Sequence, residues 1–161
     1  MTNNKEKLIC LIKSLNININ KLQNSFVDNE KNFEENFDTR VRLQKIVYLL
    51  DTKYKTFEYN FSLYLRGPYS KDLSKDYFTI DENMPVKSNI PPEIIELSKK
   101  LNSKASIWLE IAATVKMMYI ENPETAIERT IDFKSDILNS NGKDKSYVNN
   151  VYNELKEMKL F

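Results

Sequence analysis

Apolar residues recur along this chain with two periods, and the switch between them marks its organisation. Over residues 5–16, Leu8, Leu11, Ile12 and Leu15 fall three and four apart, which predicts an amphipathic helix. Residues 17–38 are Asn-rich, weakly periodic and acidic toward their end. They predict a long connection or insertion with one short helical turn at most. Leu43, Ile46, Val47 and Leu50 then restore the helical spacing, and Asp38 or Thr39 can cap that helix by accepting from its first free N–H groups. Its flanks carry Arg42, Gln44, Lys45, Tyr48 and Asp51. At Phe57 the period drops to two: Phe57, Tyr59, Phe61, Leu63 and Leu65 alternate with Glu58, Asn60, Ser62 and Tyr64, the signature of a half-buried strand. Gly67-Pro68 should end that strand, because proline cannot donate to a ladder. Ser70 is then placed to cap a helix through Leu73, Tyr77 and Phe78.

The second half reads almost wholly as helix. An irregular stretch with a short strand near Val86 leads to Pro91-Pro92, which opens a helix on Ile94, Ile95, Leu97, Ser98 and Leu101. Residues 104–121 are the most apolar segment, with Ile107, Trp108, Ile111, Ala112, Val115, Met118 and Tyr119 in one wide stripe. This is the expected central helix, with Trp108 as core filling. Asn122-Pro123 opens a further helix through Ala126, Ile127, Thr130 and Ile131. A turn containing Gly142 precedes a last helix on Val148, Val151, Tyr152, Leu155 and Met158, capped by Asp144 or Ser146. The whole is expected to be one globular domain of 161 residues.

Composition narrows the chemistry. The chain has no histidine and one cysteine, Cys10, so catalysis and metal binding through His or paired thiols are excluded, as is an internal disulfide. Enzymes working through carboxylates, Lys or Tyr are the remaining catalytic class. The acidic pairs Glu34-Glu35 and Asp81-Glu82 lie in expected loops without a partner base, so no catalytic residue, cofactor or metal is expected. No apolar run is long enough to span a bilayer and the N-terminus lacks an apolar signal core, which makes a cytoplasmic location the default expectation. Net charge is only +1, but residues 40–75 hold eight Lys or Arg against three acids.

That basic segment contains "YLRGPYSKDL", residues 64–73. A turn running into a helix N-terminus aims unpaired N–H groups outward, a setting for an anion or an acidic side chain. Arg66 and Lys71 flank it, Tyr69 and Ser70 lie within it, and Arg42 and Lys45 come from the preceding helix. These six are the candidate partner- or anion-binding residues. The other reading is that Gly67 and Pro68 only steer the chain, with Arg66 paired to Asp51 or Asp72.

The blocks "RLQKIVYLLD", "YLRGPYSKDLSKD", "WLEIAATVKMMY" and "VYNELKEMKLF" together resemble the YwgA-like group of small bacterial and archaeal proteins, over about residues 40–161. The chain is more distantly similar to the Panacea domain, the SocA-like antitoxin module, which shares a "KLQKLLY" helix and a Gly-Pro turn. The resemblance implies a mainly α fold with a small antiparallel β element, winged-helix-like in arrangement. It also implies action by binding proteins, with Leu43, Gln44, Lys45, Tyr48, Gly67, Pro68, Tyr69 and Ser70 at motif positions. The expected function is therefore a non-enzymatic, antitoxin-like regulatory or protein-interaction module. The alternative is a winged-helix-like nucleic-acid-binding regulator. The expected partner is an acidic protein surface, no membrane association is expected, and a dimer is compatible with the sequence.

Overall fold

The computed structural model describes residues 3–24, 30–86 and 90–161. In chain order the elements are α1 (Asn3–Ser14), α2 (Ile19–Gln23), α3 (Glu30–Tyr54), β1 (Ser62–Tyr64), β2 (Gly67–Tyr69), α4 (Lys71–Thr79), α5 (Pro92–Asn102), α6 (Ser106–Glu121), α7 (Ala126–Phe133), α8 (Ser135–Ser140) and α9 (Lys145–Glu157). The fold is mainly α with a single two-stranded antiparallel sheet among the described residues.

Two helices organise the rest. α6 carries Ile111, Ala112, Ala113 and Val115 at zero exposure and packs on α3, α7, α9 and β2. Burying each large aliphatic side chain contributes about 1.5–3 kcal/mol, and the two alanines let neighbouring elements approach closely. α3 packs on α2, α5, α6 and β2, with Leu43, Ile46, Val47, Leu49 and Leu50 all fully buried. α1 adds Leu8, Ile9, Leu11 and Ile12 to the same core.

Several expected boundaries move. α3 begins at Glu30, well before Asp38, so much of the expected connection is helix; residues 25–29 lie outside the described part. The apolar residues of this first portion, Phe33 and Phe37, stay exposed, and polar contacts tie it to α2. The Asn36 amide and the Arg40 guanidinium both donate to the Asn24 carbonyl at the end of α2. The expected strand from Phe57 shortens to β1. Glu58 has a left-handed backbone, φ 59°, which no strand accepts, and the Asp51 carboxylate holds the Phe57 and Tyr59 N–H groups at 2.8 and 3.2 Å. Gly67 and Pro68 do not end the strand either; they form β2. Pro68 is tolerated there because both strands of a two-stranded sheet are edges. α7 starts at Ala126, after a turn in which the Asn122 side chain accepts from Glu124 N–H. Val86 is irregular and exposed, and the rest of the strand expected near it, 87–89, lies outside the described residues. Ser70 caps α4 as expected, accepting from Leu73 N–H at 3.2 Å, and Asp144 caps α9.

Candidate functional site

The hairpin of β1 and β2 is small, and three internal residues of the helices hold its main chain. Gln44 of α3 grips Ser70 twice: its amide nitrogen donates to the Ser70 carbonyl at 3.0 Å and its oxygen accepts from Ser70 N–H at 2.9 Å. Next to it, Lys45 extends under the hairpin and donates to the Pro68 carbonyl at 2.7 Å. Lys134, just past the end of α7, donates to the Leu65 carbonyl at 3.0 Å. These contacts explain the pairing of the two sequence blocks: "LQK" supplies the grips and "GPYS" the groups gripped. Gly67 lies where they converge. Its φ is +97°, and a Cβ there would sit 3.0 Å from Thr114 Oγ1 and 3.4 Å from Lys45 Cε. Glycine is needed for both the backbone angle and the space.

Charge beneath the hairpin is unbalanced. Lys45 and Glu110 are each only 1% exposed, and Lys134 is buried. Glu110, on α6, pairs with Arg66 of the hairpin turn. Burial lowers the Lys45 ammonium to about 7. Glu110 opposes that shift, while Lys134 and Arg66 reinforce it. Lys134 is lowered in the same way, by burial first and by Arg66, again against Glu110. Three cations share one carboxylate, and the fold keeps them by giving each lysine a carbonyl to donate to.

The candidate residues divide accordingly. Lys45 and Ser70 are internal and hold the hairpin, so neither presents a surface. Arg42 is committed to the α5–α6 junction, donating to the Asn102 carbonyl at 2.8 Å and to Ser106 Oγ at 3.0 Å. Arg66 pairs with Glu110 rather than with Asp51 or Asp72, yet its side chain stays 43% exposed. Tyr69 is half-buried, edge-on to Tyr64 at 5.3 Å, and Lys71 is exposed in the first turn of α4. The structure thus brings Lys45, Arg66 and Ser70 to one hairpin and leaves Arg42 elsewhere. Glu110 and Lys134 were missed by sequence reasoning. Glu110 had a signal, a lone acid inside the most apolar helix; Lys134 had none.

Around this base the surface is apolar. Leu65, at the tip, is 86% exposed; Leu63, Tyr64, Phe33, Phe37 and Phe133 are exposed as well. Phe33 stacks on Phe37, whose ring lies 5.4 Å from the Arg66 guanidinium. Phe133 adjoins Lys134, the residue that holds the Leu65 carbonyl. The hairpin and its surroundings thus expose several large apolar side chains, with the half-exposed Arg66 guanidinium beside Phe37.

Among the described residues no group of three or more His, Cys, Asp or Glu side chains is placed to hold a metal ion, and no helix is long and apolar enough to cross a membrane. Comparison with protein-family models, curated proteins and solved structures yields no match.

Proposed function

We propose that this protein is a non-enzymatic interaction module that engages a protein partner through the apolar surface of the hairpin, in the manner of an antitoxin-like regulator. The observation that carries this reading is Leu65: a leucine 86% exposed at the tip of a hairpin whose main chain is pinned at Pro68 and at Leu65 itself. Exposed apolar patches framed by polar residues are characteristic of protein contacts. A rigid support lowers the ordering entropy that binding must overcome. The resemblance to YwgA-like and Panacea sequences points the same way. Nucleic-acid binding is the weaker reading, because three of the candidate basic residues are engaged within the chain: Lys45 on Pro68, Arg42 on Asn102 and Arg66 with Glu110.

The test is affinity capture from native extract, with and without nuclease, comparing the natural chain with Leu65→Asp. Leu65 makes no core contact, so the variant should keep its thermal stability and lose its captured protein. Equal capture by both chains, or capture that nuclease abolishes, would overturn the proposal. The salt response separates the classes further. Phosphate contacts each give about one log unit of affinity per log of salt, whereas an apolar surface gives a shallow slope.

A further inference from the structure

A sheet of two strands has two outer edges, and in this hairpin they are treated differently. β2 is the strand that packs on α3 and α6. β1 is exposed at all three residues, and among the described residues no backbone group of another element pairs with its outer edge. Ser62, Leu63 and Tyr64 include no lysine, no proline and no charge, so the shortness of the three-residue strand is the one guard of an open edge that β1 has. The hairpin that carries the edge is held still, because Lys45 fixes the Pro68 carbonyl of β2 and Lys134 the Leu65 carbonyl of the turn.

The member of the Arg66–Glu110 pair that reaches solvent beside the edge is the cation. Arg66 reaches solvent, while its partner Glu110 is buried, so an approaching chain meets the guanidinium and not the carboxylate. Lys45 and Lys134 lie behind it, buried against the Pro68 and Leu65 carbonyls.

We propose that the outer edge of β1 receives an extended segment of a partner protein as a third strand, and that this segment places an acidic side chain beside Arg66. The inference rests on the interaction reading above and names the chemistry of the partner. Unpaired main-chain N–H and C=O groups are satisfied by another strand whatever its sequence, and the side chains at alternate positions then select it. Leu63 and Tyr64 offer apolar contact; Arg66 selects for acid. A second copy of this chain would bring its own Arg66 and no acidic residue at Ser62, Leu63 or Tyr64, so self-pairing is not the occupant this edge is built for.

Fluorescence polarisation on the full chain tests the proposal with three short labelled peptides. One alternates aspartate with valine, one alternates lysine with valine, and one is the aspartate peptide with a proline at its centre. The aspartate peptide should bind at least about tenfold more tightly than either control, because proline removes ladder donors and lysine meets like charge. Leu63→Lys should weaken it by a similar factor with an unchanged circular-dichroism spectrum, and Arg66→Gln should erase the preference for aspartate over lysine. Failure of the aspartate peptide to bind, equal binding of the proline peptide, or equal binding of the lysine peptide would each overturn strand addition. So would a dimer in sedimentation that Leu63→Lys dissolves, which would make a second copy the occupant. If Leu65→Asp leaves partner capture intact, the interaction reading fails. If Leu65→Asp abolishes capture while the proline peptide binds as well as its parent, strand addition alone fails.

Discussion

Raising the pH from about 7 to about 9 should stabilise this fold by about 2 kcal/mol through Lys45 alone. Burial brings the folded-state ammonium to about 7, whereas in the unfolded chain it stays near its ordinary value of about 10.4. Between those values the unfolded chain holds a proton that the folded chain has released, so stability rises with pH, by at most about 1.4 kcal/mol per unit. The gain is complete above the unfolded value and is lost as pH falls through the folded one. Lys134, also lowered by burial, acts in the same direction. Tyr48 and Tyr59 act oppositely: burial raises both. Their effect begins only above about pH 10, where unfolded tyrosine ionises. Denaturant unfolding at about pH 7, 8 and 9 reads the slope, and Lys45→Met, which keeps most of the buried stem, should flatten most of it. A natural chain with flat or falling stability over that range would refute the account. So would an identical slope in the variant.

Two further predictions concern the grips on the hairpin. Gly67→Ala should destabilise by about 2–4 kcal/mol, since it combines a left-handed alanine with a close approach to Thr114 and Lys45. Gly142→Ala, also left-handed but with open space around it, should cost only about 1 kcal/mol, and thermal unfolding of the pair separates strain from crowding. Gln44→Leu strands the N–H of buried Ser70 and leaves its carbonyl with the Ser74 N–H alone. It should lower stability by about 2–4 kcal/mol, with amide exchange quickening first at residues 67–73.

Much of the fold was legible because it follows apolar spacing: α1, α5, α6 and α9 bury the residues their periodicity singles out. The early start of α3 was not. Its first turns are held by Asn36 and Arg40 reaching the end of α2, and such contacts leave no periodic trace. The hairpin was misread for a different reason. Phe57, Tyr59 and Phe61 do alternate, but they belong to a connector bent by left-handed Lys55 and Glu58, neither of which is a glycine that would have announced the bend. At the candidate site, charge was taken as a sign of surface. Lys45 reverses that rule, because one carbonyl and one carboxylate on distant segments make its burial tolerable, and distance along the chain conceals them.

The three grips share a property with a wider consequence. Gln44, Lys45 and Lys134 all take hold of main-chain atoms, at Ser70, Pro68 and Leu65, and of none of the side chains carried there. The socket is therefore blind to the letters written on the loop it carries. Residues 63 and 65 can be exchanged for others of different shape or charge while the frame stays as it is, which makes this hairpin a place where partner choice can drift, or be redesigned, without renegotiating the core.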